Sequence, residues 1–166
     1  MAITICIAQA VGIGGAFWLS GNIAALSLIS APAILRAKAD GAAGTGSLTR
    51  LWRHNYELGK SQNPPVAVLA AGALGYLAWT AGAPLYGAAA ALTLGIVPYT
   101  IVAMRPTNGR LIKKSEDIGR QGPAAVATEA EQAEVDALLG RWVALNGVRS
   151  VLPALGGVAA VLAAVM

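Results

Sequence analysis

Charged side chains are missing from three long stretches of the chain, and this constrains the fold more than any other feature. The first 35 residues, the stretch from Ser61 to Met104 and the last 17 residues contain no Asp, Glu, Lys or Arg. Charged residues make up 12% of the chain, against about 25% in ordinary soluble domains. A membrane-spanning helix needs about 20 mainly apolar residues, so the sequence predicts a protein embedded in the bilayer.

Four spans fit into these stretches. We expect them at about residues 3–35, 64–82, 84–104 and 148–166. The sequence "TAGAP" between the second and third spans is typical of a tight turn, and Pro64 and Pro65 are well placed to begin the second span. The predicted fold class is all-α: one domain over 1–166, an up-and-down four-helix transmembrane bundle whose helices extend past the membrane on the charged side.

Three segments outside the spans have patterns of their own. Residues 47–63 predict a short, separate helix that carries charge, and Asn108-Gly109 predicts a turn. Apolar residues between 129 and 147 recur at helical spacing. We therefore expect this last segment to run unbroken into the fourth span.

The placement of charge predicts the topology. Lys and Arg occur in two blocks, Arg36 to Lys60 and Arg105 to Arg149, separated by a hairpin of two spans. Both blocks therefore lie on one side, and positive residues mark the cytoplasmic side. We expect a multi-pass protein of the endoplasmic reticulum or another internal membrane, with cytoplasmic charged connections and both termini on the opposite side. The residues that give the net charge of +4 lie in these two blocks, so the net charge does not indicate nucleic-acid binding.

Conspicuous polar and aromatic residues converge on one predicted level of the bundle, near the cytoplasmic interface. They are Asn22, Trp52, His54, Tyr56, Asn108, Trp142, Asn146 and Arg149. The spacing of Trp142, Asn146 and Arg149 places them on one side of a helix. Each alone has an ordinary structural interpretation, since interfacial Trp, snorkelling Arg and helix-bridging Asn are common. Their convergence at membrane depth favours a ligand site.

The inventory of side chains narrows the chemistry of such a site. One His and one Cys, far apart in sequence, do not predict a metal cluster, and no span contains a carboxylate for a proton relay. The glycines of "VGIGGAF" lie in an apolar helix rather than after a strand, so they do not predict a phosphate loop. What remains is His54 as a base together with hydrogen-bond donors, which suits proton abstraction with stabilisation of an oxyanion.

Two segments resemble a known family. "RPTNGRL" and, further along the chain, "LLGRWVALNGVRSVLP" are similar to segments of the anthrone oxygenases, small four-helix membrane proteins often encoded in fungal aromatic polyketide pathways. The Pro-Thr-Asn segment of that family corresponds to 106–108 here. The Trp, Asn and Arg of its last helix correspond to Trp142, Asn146 and Arg149.

The resemblance implies oxidation of an anthrone to an anthraquinone by molecular oxygen, without a metal or flavin cofactor. Some relatives have His at the position of Asn146, so the base of this chain is expected to be His54. We expect His54, Asn146 and Arg149 to be catalytic, and Asn22, Trp52, Tyr56, Asn108 and Trp142 to bind the substrate. The implied partners are a hydrophobic aromatic substrate, oxygen and the lipid bilayer, with association with polyketide pathway enzymes as a further suggestion.

Two alternatives remain open from the residues alone. One is a non-catalytic four-helix membrane scaffold or a small-molecule transport component. The other is a membrane haem protein with His54 as axial ligand, which ranks last because one histidine does not allow bis-His ligation within a chain.

Overall fold

The computed structural model describes residues 2–120 and 127–166. Over these ranges the chain forms helices and no strand, and four helical stretches are long and apolar enough to cross a membrane. They extend over Ala2–Ala39, Thr45–Ala81, Pro84–Arg120 and Glu129–Val165, and are called here the first to fourth helix. The predicted all-α fold with four transmembrane helices is confirmed.

The four helices form a ring in which each packs against two neighbours. The first and the third helix both contact the second and the fourth. Neighbouring helices run in opposite directions, since Gly12 lies against Leu74 whereas Gly15 lies against Ala70. The contacts of the fourth helix with the first and with the third follow the same antiparallel order. These contacts make the bundle up-and-down, and the small residues allow close approach of the helices.

The turn between the second and third helices is tight, as predicted. Gly82 ends the second helix with a φ of 63°, a left-handed conformation that favours a residue without Cβ. Pro84 begins the third helix, where the missing N–H removes no helical hydrogen bond. This hairpin leaves the charged ends of both helices at the opposite end of the bundle.

The fourth helix runs unbroken from its charged beginning into the apolar span. Thr128 caps it by accepting a hydrogen bond from the backbone N–H of Glu131, and the Glu131 carboxylate accepts one from the backbone N–H of Thr128. From Glu129 the helix continues to Val165. The prediction that 129–147 continues into the last span is confirmed.

The second helix differs from the expectation. One helix runs over Thr45–Ala81 with Pro64 and Pro65 in its interior, so the prediction of a separate short helix followed by a new helix that begins at Pro64 was wrong. A proline inside a helix removes the hydrogen bond to the carbonyl four residues earlier. The carbonyls concerned belong to Lys60 and Ser61, both exposed residues at the predicted membrane surface, where water can bind them.

The predicted turn at Asn108-Gly109 was also wrong. Both residues lie within a helical segment, Arg105–Arg120. Thr107 and Asn108 are buried there, so tertiary packing outweighs the weak local preference of Asn and Gly for a turn.

Two helices widen near the charged end of the bundle. Leu26–Ser30 in the first helix and Thr100–Met104 in the third each form a π-helical turn. Such turns insert extra backbone into a helix and are frequent at functional sites. Both of them carry side chains that take part in the polar contacts described next.

The helices stay packed beyond the charge-free spans. A buried cluster that includes Leu48, Trp52, Leu111, Leu139 and Trp142 fills the charged end of the bundle. Ion pairs also join the first helix to the fourth and the second to the third. Since partly exposed pairs contribute only about 0–1 kcal/mol, burial of the apolar cluster holds these ends together.

Candidate active site

A cavity of about 170 Å³ lies near the charged end, between the second, third and fourth helices and against one residue of the first. It is lined by Leu26, Tyr56, Gly59, Lys60, Asn63, Pro64, Ile96, Val97, Thr100, Ile101, Met104, Asn108, Trp142 and Arg149. A groove of about 210 Å³ adjoins it, since the two share Tyr56, Thr100, Ile101 and Asn108. An engineered cavity of about 150 Å³ accepts benzene, so cavity and groove together offer room for more than one aromatic ring.

Helical spacing explains which side chains of the second helix face the cavity. Tyr56, Gly59, Lys60 and Asn63 recur at intervals of three and four residues and therefore share one face. Asn63 is buried, and its Oδ1 accepts a hydrogen bond of 2.7 Å from Nδ2 of Asn22 on the first helix. This bond fixes the amide of Asn63 beside the cavity.

The third helix contributes through its π-helical turn. Thr100 begins that turn, and its hydroxyl donates to the carbonyl of Ile96 at 2.6 Å. Met104 and Asn108 follow at helical spacing, and both are buried. The turn thus brings a hydroxyl, a thioether and an amide to the same wall.

The fourth helix places Trp142 and Arg149 two turns apart along the cavity. Nη1 of Arg149 donates to Oγ1 of Thr100 at 3.0 Å. The ring of Trp142 meets the ring of Trp52 edge to face, with centroids 5.9 Å apart, and Trp52 stacks on Tyr56 at 5.3 Å. Such aromatic pairs contribute about 0.5–1.5 kcal/mol beyond burial, so the wall behind the cavity is well fixed.

Several polar atoms around the cavity are buried without a hydrogen-bond partner in the part of the chain that the structure describes. They are Nδ2 of Asn63, Oδ1 of Asn108, Nε1 of Trp142 and Nε of Arg149. Leaving a buried polar group unsatisfied costs about 1–3 kcal/mol, and native structures hold few such groups. Three of the four atoms are donors, so the arrangement suits a ligand that presents an oxygen acceptor.

The electrostatics of the cavity favour negative charge. Its cationic lining side chains are Lys60 and Arg149, and no Asp or Glu occurs among the described lining residues. Buried donors of fixed orientation stabilise a developing oxyanion more strongly than water does. The cavity can therefore bind an apolar ring system and stabilise negative charge on one of its oxygens.

The structure brings together four of the residues singled out by the sequence. Tyr56, Asn108, Trp142 and Arg149 line the cavity. Two more lie directly behind it: Trp52 through its ring contacts and Asn22 through its bond to Asn63.

Asn146 turns away from the cavity. It is fully buried, and its Nδ2 donates to the carbonyl of Ile23 at 2.9 Å and to Oγ of Ser27 at 2.8 Å. Both partners are on the first helix, and Ser27 belongs to the π-helical turn there. Asn146 thus joins the fourth helix to the first by hydrogen bonds, which is the common structural role of Asn between membrane helices.

His54 also lies apart from the cavity. Its side chain is exposed, and it is not among the lining residues, although its neighbours Tyr56 and Trp52 face inward. A general base must come within about 3 Å of the proton it removes. An exposed side chain outside the cavity does not offer that geometry.

Lys60, Asn63 and Thr100 also line the cavity but were not predicted from the sequence. The signal for Lys60 and Asn63 was their helical spacing from Tyr56, since all three lie in the predicted helix over 47–63. Thr100 carried little signal, since a hydroxyl in a span often bonds its own helix, as this one does. The described residues contain no group of three or more His, Cys, Asp or Glu side chains that could hold a metal ion.

The fold and the cavity together define a class of protein: a four-helix membrane protein with a cationic, aromatic-walled cavity at one end of the bundle. Comparison with known families is more specific. The family model for anthrone oxygenase matches residues 52–159, which include every lining residue except Leu26. The chain belongs to the anthrone oxygenase family, as the resemblance of its two segments predicted.

Curated relatives agree over nearly the whole chain. Anthrone oxygenase encC of Aspergillus fumigatus is 39% identical over 163 residues, which cover 93% of this chain and 90% of the relative. Anthrone oxygenase tpcL of the same organism is 32% identical, with 93% and 91% covered. A noranthrone monooxygenase of Aspergillus flavus is 28% identical, with 85% and 65% covered. No solved structure matches the chain at a significant level.

Proposed function

We propose that this protein is a cofactor-independent oxygenase that converts an anthrone-type aromatic polyketide to an anthraquinone with molecular oxygen. The names of the relatives, anthrone oxygenase and noranthrone monooxygenase, support the substrate class. The observation that carries the proposal is a ring-sized cavity lined by Asn63, Trp142 and Arg149, each of which has a buried donor without a partner in the described chain.

The chemistry balances with oxygen as the only oxidant. The methylene of an anthrone lies opposite a ketone, and loss of one methylene proton gives an anthrolate whose charge resides largely on the ketone oxygen. The anthrolate passes one electron to oxygen, and the resulting radical pair combines into a carbon–oxygen bond. The peroxide takes up a proton, its O–O bond breaks, and the second methylene hydrogen leaves with the departing oxygen as water. Anthrone and oxygen thus become anthraquinone and one water.

The cavity residues fit the first, proton-removing step. Donors on Arg149, Trp142 and Asn63 hydrogen-bond the ketone oxygen and strengthen that bond as charge develops on it. Tyr56 lies along a flat face of the rings. Because the anthrolate is itself the electron donor, the protein needs to supply only charge stabilisation, orientation and a place for oxygen.

The proton acceptor is not His54 in this proposal. Water at the rim of the cavity accepts the methylene proton instead. Lys60 lines the cavity and is exposed at this rim. Asn146 acts through the helix packing rather than on the substrate.

The proposed orientation places the cavity at the cytoplasmic face of an internal membrane. The charged ends of all four helices lie in the cytoplasm, following the positive-inside rule, and both chain termini lie on the opposite side. This orientation presents the cavity to the compartment in which polyketides are made.

Turnover of an anthrone by the purified protein in lipid nanodiscs tests the proposal. Under ¹⁸O₂ the quinone should gain one labelled oxygen, at a rate well above the spontaneous oxidation in empty nanodiscs, and chelators should leave the rate unchanged. Arg149→Lys, which keeps the charge but loses the planar donors, should remove most of the acceleration. A rate equal to that of empty nanodiscs would instead favour a transport or scaffold role, and loss of activity with a chelator would contradict the cofactor-free mechanism.

A further inference from the structure

The cavity has two unlike sides. The side toward the bundle is formed by buried residues, among them Asn63, Met104 and Trp142. The other side is formed by apolar residues with exposed side chains: Val97 is 36% exposed and Ile101 is 57% exposed. Pro64 on the second helix is exposed beside them. The cavity therefore opens sideways, between the second and third helices.

The surroundings of this opening are lipid rather than water. Pro64, Val97 and Ile101 all lie in the charge-free stretch from Ser61 to Met104. Lys60 precedes that stretch and Arg105 follows it, and Lys and Arg at span ends reach to the membrane surface. The opening thus lies just below the cytoplasmic surface of the bilayer.

Backbone irregularities flank the opening on both helices. Pro64 and Pro65 interrupt the hydrogen bonds of the second helix, and Thr100–Met104 forms the π-helical turn of the third. Ile101 belongs to that turn. A regular pair of helices would pack apolar side chains continuously along this seam, whereas these irregular segments frame a gap that leads to the buried donors.

We propose that Pro64, Val97 and Ile101 form a lateral entrance through which the substrate enters from the bilayer. This inference rests on the proposed function. A flat aromatic ketone partitions into the bilayer because its apolar surface leaves water. An opening at that depth receives the substrate edge-on and brings its ketone toward Arg149.

Matched substitutions on the third helix test the entrance. Val97→Trp narrows it, whereas Val102→Trp places the same side chain on a neighbouring residue that is 79% exposed and lines a separate groove instead of the cavity. With the anthrone expressed as a mole fraction of lipid in nanodiscs, Val97→Trp should raise KM roughly tenfold, which corresponds to about 1.4 kcal/mol. Its kcat should stay near the wild-type value, and Val102→Trp should match the wild type in both.

A third variant separates this path from access through the adjoining groove. Gly109 lines that groove but not the cavity, and nothing described lies within 4 Å of an added Cβ there. If Gly109→Trp raises KM and Val97→Trp does not, the substrate enters from the cytoplasmic surface and the lateral entrance is wrong. Should Val97→Trp not fold, Val97→Phe tests the same opening with a smaller change, at a residue that lines the cavity but not the groove.

The two proposals fail in different ways. A wild-type rate equal to spontaneous oxidation overturns the proposed function. The entrance is then tested by binding alone, through the fluorescence change of an anthrone in the same nanodiscs under nitrogen, and slower binding to Val97→Trp than to Val102→Trp supports it. If the wild type accelerates oxidation and KM is equal for Val97→Trp and Val102→Trp, the lateral entrance is wrong and the proposed function stands.

Discussion

Arg149 on the fourth helix donates a hydrogen bond of 3.0 Å from Nη1 to the hydroxyl of Thr100 on the third helix. That hydroxyl in turn donates to the carbonyl of Ile96 at 2.6 Å, so its orientation is fixed and its lone pair faces Arg149. Nε of Arg149 is buried and lacks a partner among residues 2–120 and 127–166. Nη1 of the guanidinium is thus anchored, whereas Nε is left without a partner from the described chain.

Replacing Arg149 should separate catalysis from folding. Arg149→Lys keeps a cation in the cavity but cannot bond Thr100 and a substrate oxygen with fixed planar donors. Loss of an oxyanion donor typically costs about 100- to 1000-fold in turnover, and we expect a loss of that order in kcat. Anthraquinone formation in nanodiscs measures it, with Arg141→Lys on the exposed face of the same helix as control. Equal rates for the two variants would remove Arg149 from the mechanism.

Replacing Asn146 should lower the stability of the protein and leave its turnover unchanged. Asn146→Ala removes the bonds to Ile23 and Ser27 on the first helix, and hydrogen bonds between membrane helices contribute about 0.6–2 kcal/mol. The yield of monodisperse protein and its thermal midpoint should fall, while turnover per folded molecule stays near wild type. Val148→Ala, on the lipid-exposed face of the same helix, is the control. A large drop in turnover of the folded fraction would return Asn146 to the site.

His54 should be dispensable. The side chain is exposed and lies outside the cavity, so it does not come within the roughly 3 Å of the substrate that a general base requires. His54→Gln should therefore keep kcat within about twofold and leave the pH–rate profile of the wild type in place. A profile that flattens near neutrality would show that His54 is the base after all.

Close packing at Gly156 should make a larger residue at this position destabilising. A Cβ there would lie 2.6 Å from Oγ1 of Thr93 and 2.9 Å from the carbonyl of Ala89, which is fixed backbone. Gly156→Ala should force the third and fourth helices apart, and overpacking of this kind costs about 1–3 kcal/mol. At Gly147 on the same helix, nothing described lies within 4 Å of an added Cβ, so Gly147→Ala should be neutral or stabilising. Thermal unfolding of both variants in detergent compares them, and equal midpoints would contradict the packing.

The orientation of the bundle can be read with single cysteines. Cys6→Ser removes the one native thiol, and into this background either Ser47→Cys or Met166→Cys is introduced. In sealed, cytoplasm-side-out microsomes, a membrane-impermeant maleimide should label the residue at position 47 directly and the one at 166 only after the membrane is permeabilised. The reverse pattern would invert the proposed topology.

The sequence determined the class of fold, because burial in lipid leaves little choice. Three charge-free stretches and a short Gly-Ala-Pro turn predict four spans, since backbone groups in a bilayer must be satisfied within helices. The apolar spacing between 129 and 147 and the charge-free stretch after it predict the long fourth helix. Two segments, "RPTNGRL" and "LLGRWVALNGVRSVLP", also sufficed to indicate the family.

Only the tertiary structure decided which polar residues form the site. Local rules predicted a break at Pro64 and a turn at Asn108-Gly109, but exposure of carbonyls at the membrane surface and burial of Asn108 keep both segments helical. Trp142, Asn146 and Arg149 share a helix side in sequence, yet Asn146 bonds the first helix whereas Arg149 bonds the third. A few tens of degrees around a helix axis separate those neighbours, and helical periodicity alone does not reveal which adjacent helix fills each direction.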